Sequence, residues 1–244
     1  MLTRSAIILA AGLGARLRSI HADQPKGFIE IGGQSLIERS VRLLRRCGVD
    51  RIVIVAGFQA EAYHRFAAGR GIQVVENSAY ATTGTMASLA LALDSIDGDF
   101  LLLESDLFYE PRALDALLAH PAPDVILASG FTQATDEVWV DAVDGTLHGV
   151  SKIRSELNSV IGEFVCIARI SQPLAALMRN AFETFVATHE HGRLEYDTTL
   201  VPLLHHRPVK VCLVPDLLWG EIDDEFQYRR VRDHVWPATL AAKR

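Results

Sequence analysis

The sequence predicts an α/β fold, a Rossmann-like three-layer sandwich with a mainly parallel central sheet and a small β-rich appendage. Three observations predict it. Apolar runs of strand length alternate with helical patterns through the first half, the sign of βαβ units. A glycine loop follows the first run directly, where open parallel sheets bind their ligands. Beyond about residue 130 the alternation becomes strand-like around Asp144-Gly145, a turn signal for a hairpin.

Composition bounds the class. A chain of 244 residues, 49% hydrophobic and 22% charged, has enough apolar surface for one sizeable core. A formal net charge of -6 excludes a general nucleic-acid binder, which needs a basic face. Cys47, Cys166 and Cys212 are scattered in apolar surroundings, so buried thiols in a reducing, cytoplasmic setting are expected. The opening apolar run leads into a glycine loop instead of a small-residue cleavage site and reads as a first strand. No apolar stretch reaches the roughly 20 residues of a membrane span. The absence of repeats and of Pro/Gly/Ser linkers favours one unit over 1–244.

The elements follow in order. A first strand over 6–10 is followed by a long loop through Pro25, then by apolar residues at helical spacing over 36–47, stopped by Gly48. Strands are expected at 51–56, 73–76 and 100–103, with helices at 59–68 and 85–93. Pro111 suits the first turn of a helix over 111–119, and a strand follows at 124–128. Residues 137–168 read as a hairpin or small sheet laid over the open edge of the core. Helices at 172–189 and 196–204, a strand at 209–214 and a closing helix over 223–235 complete the chain.

The loop Leu9-Ala10-Ala11-Gly12-Leu13-Gly14-Ala15-Arg16-Leu17 is suited to polyphosphate. Its glycines let backbone N–H groups approach phosphate oxygens, and Arg16 offers a permanently charged planar partner. A dinucleotide fingerprint would place a third glycine where Leu17 stands, and the Gly-Lys-Ser/Thr of a Walker loop is missing. Alone, the loop reads equally well as a glycine-rich turn with a surface arginine. Lys26, in Gln24-Pro25-Lys26-Gly27, shares one long loop with Arg16, so both cations can converge on one strand mouth.

Leu-Ala-Ala-Gly-x-Gly-x-Arg-Leu, then Pro25-Lys26, then Gly32-Gly33-Gln34-Ser35-Leu36-Ile37-Glu38, resembles the nucleotidyltransferases that act on sugar 1-phosphates, phosphocholine and phosphonates. The resemblance is strong over the first half and confined to short motifs in the second. It implies a Rossmann-like core, a nucleoside triphosphate donor, magnesium and release of pyrophosphate. The chain then divides into a nucleotide-binding core (1–130), an acceptor-binding portion (131–222) and a C-terminal helix (223–244).

An apolar strand ending in Glu104-Ser105-Asp106 offers the carboxylate oxygen that a hard cation takes. Asp106 matches the family's metal aspartate, with Glu104 as a supporting or structural acid. Trp219-Gly220-Glu221-Ile222-Asp223-Asp224 is similar to the family's Glu-Ile-Asp. That maps a second metal ligand onto Asp223, with Glu221 and Asp224 as alternates. Asp223 or Asp224 would equally serve as the N-cap of the last helix. Arg16, Lys26, Asp106 and Asp223 are the expected catalytic set. The triphosphate contacts are expected from Leu9, Ala10, Ala11, Gly12, Gly14, Arg16 and Lys26. An acceptor already ionised near neutral pH needs no catalytic base, which fits the lack of a Ser-His arrangement.

In similar cytidylyltransferases the segment after the third strand faces base and ribose, commonly through Asn-Asn before Ser-Leu. Here Gly84-Thr85 replaces that pair and Ser88-Leu89 remains. Thr83, Thr85 and Ser88 are the expected contacts, and CTP is favoured over UTP. Glu137, Trp139 and Asp141 alternate on one predicted strand face, and Lys152 ends its partner. An aromatic ring with carboxylates suits a cationic amine, and Lys152 suits a phosphate. A solvated face with a core tryptophan is the competing reading. Tyr196, Asp197 and Trp219 resemble acceptor-pocket positions of phosphocholine cytidylyltransferases. His189 and His191, and His205 and His206, lack the i, i+4 spacing of a zinc site. The expected activity is transfer of CMP from CTP to 2-aminoethylphosphonate, hydroxyethylphosphonate or phosphocholine. A UTP-dependent sugar-1-phosphate enzyme and an idle nucleotide-binding module are the alternatives.

Overall fold

The computed structural model describes residues 3–17, 24–189 and 192–242. The first strand, β1 (Ser5–Ala10), is buried at every position, which an apolar run achieves inside a sheet covered on both faces. β2 (Glu30–Ile31) and β3 (Gln34–Ser35) form a small hairpin. Helix α1 (Leu36–Arg46) begins at Ser35, whose hydroxyl accepts the Glu38 N–H, the usual N-cap bond. Next come β4 (Arg51–Ala56), α2 (Ala60–Ala67), β5 (Ile72–Glu76), α3 (Thr85–Ala92) and β6 (Phe100–Glu104). They are followed by β7 (Leu107–Tyr109), α4 (Arg112–Ala119) and β8 (Val125–Ser129). The second half holds β9 (Trp139–Val143), β10 (Thr146–Ser151), β11 (Val160–Ile170), α5 (Gln172–Thr188), α6 (Tyr196–Leu203), β12 (Lys210–Val214) and β13 (Trp219–Glu221). Helix α7 (Glu225–Arg230), a π-helical turn (Val231–Val235) and α8 (Trp236–Ala241) close the chain.

The α/β class is as predicted, with a nine-stranded central sheet in the order β5-β4-β1-β6-β11-β8-β12-β10-β9. Parallel pairing runs through β5, β4, β1 and β6 and recurs between β8 and β12. The stretch 137–168 departs from expectation. Its hairpin is real, and Asp144-Gly145 turns with both residues at positive φ, as a two-residue hairpin loop prefers. Its strands, however, belong to the main sheet. β11 is inserted antiparallel between β6 and β8, and β9 with β10 extends the far end. Long and almost wholly buried, β11 needs neighbours on both sides, whereas local reasoning pairs it with the strands just before it.

Two features of this frame position the site. The carboxyl ends of β1 and β6 lie side by side, with Leu9 opposite Glu104 and the Ser105 N–H donating to Leu9 O at 2.9 Å. A second, smaller core, separate from that of the sheet, collects Leu17, Ile29, Ile31, Phe108, Ile222 and Val231. These residues flank Arg16, Lys26, Asp106 and Asp223 in sequence, so their burial draws four distant segments together.

The two halves also meet at the start of α3. Gly84 N–H donates to Gly192 O at 2.9 Å and Met86 N–H to Leu194 O at 3.0 Å. Glu195 accepts both the Thr85 N–H and the Thr85 hydroxyl. A Cβ on Gly84 would stand 2.4 Å from Leu194 O, a clash with backbone that side-chain motion cannot relieve. Gly84→Ala is therefore expected to cost about 1–3 kcal/mol, read as a lower urea midpoint with an unchanged m-value.

Candidate active site

The cleft at the mouth of β1 and β6 encloses ≈ 250 Å³. Its floor is Leu9, Ala10, Ala11 and Gly12, and its walls include Thr83, Thr85, Ser88, Asp106 and Asp223. A Cβ on Gly12 would meet nothing within 4 Å, so the backbone there borders open space. Gly14 has φ +59° and its Cβ position lies 3.0 Å from Lys26 Cγ; glycine lets the loop cross the lysine stem. Gly27 is hemmed in by Tyr63, whose hydroxyl would lie 2.7 Å from an added Cβ.

Lys26 and Arg16 converge as their shared loop suggests. Lys26 Nζ donates to Asp106 Oδ2 at 3.0 Å and also to Asp223 Oδ1. Arg16 Nη2 donates to Asp223 Oδ2 at 2.8 Å. Residues 18–23 of that loop lie outside the described residues. Asp223 is free for this role because Asp224 is the N-cap of α7, accepting the Gln227 N–H at 2.9 Å. Asp223 N–H in turn donates to Gln227 Oε1, which fixes the backbone that presents its carboxylate.

Beside these pairs, carboxylate oxygens of Glu104, Asp106 and Glu221 all lie within 4.8 Å of one another. The short ladder of β7 with β13 brings them together, and Ile222 N–H donates to Asp106 O at 3.0 Å. Three carboxylates this close repel. Burial, then Glu221 and Asp106, push the Glu104 carboxyl well up, and burial with Asp106 pushes Glu221 to about 7. Asp106 Oδ1 is buried and meets no hydrogen-bond partner among the described residues. An orphaned carboxylate oxygen within an all-oxygen cluster fits a hard divalent cation. Asp106 with Asp223 or Glu221 would hold it, neutralising charge that protons otherwise neutralise.

The residues expected to contact the nucleotide rest on a scaffold that sequence reasoning did not single out. Asn77, 3% exposed, donates from Nδ2 to Thr83 Oγ1 and Ser88 Oγ, both at 3.0 Å, while its Oδ1 accepts the Ala79 N–H. Ser88 is thus tied into the loop's support. Tyr63, Tyr80, Ser105 and Glu195 also line the cleft. Glu195 was legible as a residue just before a predicted helix, whereas the tyrosines carry no local signal.

Of the acceptor residues predicted from the second half, Glu137 and Trp219 line one small cavity with Asp136 and Glu221, and Lys152 acts electrostatically on Asp197. Asp141 is buried, and its carboxylate accepts the Asn158 N–H at 2.8 Å; it holds a loop instead of facing the cleft. Trp139 packs against Phe131, and the Arg154 guanidinium lies 5.0 Å over its ring. Glu137 accepts the Thr135 N–H at 3.0 Å. Trp219 is buried and its indole N–H donates to Ser129 Oγ at 2.7 Å. Tyr196 is buried against Phe164, and burial raises the neighbouring Asp197 carboxyl. Lys152 lies nearer the cations, paired with Asp136 at 2.8 Å. His189 stacks on Phe185, and His191 lies outside the described residues. No described helix is long and apolar enough to cross a membrane.

Cations lodged among carboxylates at the mouth of parallel strands suit a phosphate-bearing ligand accompanied by a divalent ion. Residues 6–206 match the MobA-like NTP transferase domain, and the chain belongs to that family. It is 31% identical over 241 residues to the CMP-5'-(3-aminopropyl)phosphonate synthase of Streptomyces rubellomurinus, covering 92% of this chain but 38% of that protein. With the 2-aminoethylphosphonate cytidylyltransferase of Lancefieldella rimae it shares 28% identity over 192 residues, 73% of each chain. Among solved structures, the inositol-1-phosphate CTP transferase from T. maritima superimposes with a TM-score of 0.82 at 22% identity, over 97% of this chain and 96% of the other. That likeness supports the fold.

The carboxylate cluster sets a pH dependence. Glu104 and Glu221 have folded-state pKa values above the unfolded value of about 4.3. Between those limits the folded protein holds protons that the unfolded chain lacks, so stability falls as pH rises. Thermal melts in EDTA are expected to drop from pH 5 to pH 8, and added divalent cation is expected to restore more stability at pH 8 than at pH 6.

Proposed function

We propose that this chain is a cytidylyltransferase that moves CMP from CTP to a small phosphonate or phosphate acceptor and releases pyrophosphate. The observation that carries the reading is the convergence of Arg16 and Lys26 on Asp106 and Asp223. The names of the similar Streptomyces and Lancefieldella proteins favour aminoalkylphosphonates and CTP; phosphocholine and hydroxyethylphosphonate belong to the same class.

The chemistry is governed by charge. An acceptor oxygen forms a bond to the α-phosphorus of CTP while the bond from that phosphorus to the bridging oxygen of pyrophosphate breaks. The acceptor oxygen is already ionised, so no proton is transferred. A divalent cation, magnesium in this proposal, would supply positive charge between the two reacting anions, held by Asp106 and Asp223. Arg16 and Lys26 leave their carboxylates for the β- and γ-phosphates and stabilise the departing pyrophosphate. The Leu9–Gly12 backbone lines the phosphate path, and the loop clamped by Asn77 lies where the base and ribose are bound. Lys152 meets the acceptor from the other side.

Pyrophosphate release measured with CTP and UTP against 2-aminoethylphosphonate, hydroxyethylphosphonate, phosphocholine and glucose 1-phosphate tests this. Turnover is expected with CTP and a phosphonate or phosphocholine. UTP with a sugar phosphate as the preferred pair would refute the proposal, as would nucleotide binding without turnover. Replacing Lys26 by Gln is expected to lower kcat by about 10²–10³, and Asp106→Asn to abolish turnover while the chain still folds.

A further inference from the structure

Asp136 has no part in the chemistry described above, yet it stands among the charges that do. It lies on the loop between β8 and β9, outside the carboxylate cluster. Its two oxygens face different cations. Oδ1 accepts from Lys152 Nζ at 2.8 Å, and Oδ2 is 3.5 Å from Arg16 Nη2. The side chain keeps 24% of its surface exposed, so the pair is open to exchange with a ligand. Burial opposes its ionisation, but Lys152 and Arg16 outweigh this and hold the carboxyl below the ordinary range.

Arg16, Lys26 and Lys152 each pair with carboxylates in the free protein. For Lys26 they are Asp106 and Asp223, which also fit a divalent cation, so nucleotide and metal together dissolve that pairing. No such fate awaits Asp136. Its carboxylate occupies the contact with Lys152 that an incoming anionic oxygen group would need. Lys152 also faces Glu221 electrostatically, which places this contact beside the Glu104–Asp106–Glu221 cluster.

We infer that Asp136 is an internal competitor for the acceptor: its carboxylate holds Lys152, the cation that the acceptor's tetrahedral phosphonate or phosphate dianion takes on binding, while Arg16 turns to the nucleotide. A dianion competes effectively with a single carboxylate for Lys152, and Asp136 swings away. The residue then sets how strongly an acceptor must bind, and a monoanionic carboxylate ligand is rejected in its favour. The inference rests on the acceptor class proposed above, but its test requires no turnover.

The test is binding of methylphosphonate and of methyl phosphate to the full chain at fixed ionic strength, without nucleotide, followed by NMR titration. Asp136→Asn is expected to tighten both by about three- to tenfold, whereas Asp136→Glu stays within about twofold of the native chain. The gain must disappear when Lys152→Gln is added. An unchanged or weaker affinity in Asp136→Asn with a native melting temperature overturns the inference. So does a gain that survives Lys152→Gln, which would seat the anion on Arg16 and Lys26 alone. If Asp136→Asn melts early, Asp136→Ser is read in the same way. Tightening without turnover for any acceptor would retain Asp136 as a competitor while refuting the transferase reading.

Discussion

Lys26 joins two carboxylates from distant parts of the chain, Asp106 after β6 and Asp223 before α7. Neither acid is well hydrated, since both are buried, and an unpaired buried carboxylate is costly. The lysine and Arg16 remove that cost in the free protein. The proposed ligand brings both negative phosphates and a positive ion, so it can take the place of these pairs without leaving charge unmatched. In the proposed function the cleft is a charge template for a metal–triphosphate complex.

The fold supplies this template through two separate devices. The main sheet aligns the ends of β1 and β6, which fixes the glycine loop and Asp106 relative to each other. The smaller core around Leu17, Ile29, Phe108, Ile222 and Val231 fixes the loops that bear the remaining charges. Gly32 shows how closely that packing is set: an added Cβ would lie 2.4 Å from the Trp236 ring. α8 thereby clamps the β2–β3 hairpin a few residues from Lys26. The π-helical turn at Val231–Val235 places the short final helix, with Pro237 in its first turn, where it makes this contact.

What the sequence made legible follows from how local each signal was. Strands such as β1 and β6 are continuous apolar runs, and the glycine loop and Asp106 follow their ends, so position and chemistry could be read together. The role of β11 was hidden because its neighbours, β6 and β8, precede it by many residues, and nothing in its own residues names them. Asp141 misled for a related reason. Alternation put it on a face with Trp139, but an Asn158 N–H from a turn far along the chain claims its carboxylate. Asp223 and Asp224 were indistinguishable as caps until the start of α7 was fixed by the bond from Gln227 N–H to Asp224.

The central claim is that ligand binding exchanges partners, with cations passing from carboxylates to phosphates and carboxylates passing to a divalent ion. A crystal structure of the chain with magnesium and a non-hydrolysable CTP analogue tests it most directly. The account predicts Lys26 and Arg16 on the β- and γ-phosphates, with the ion on Asp106 and Asp223. A bound nucleotide that left the pairs of Lys26 with Asp106 and Asp223 intact would contradict it.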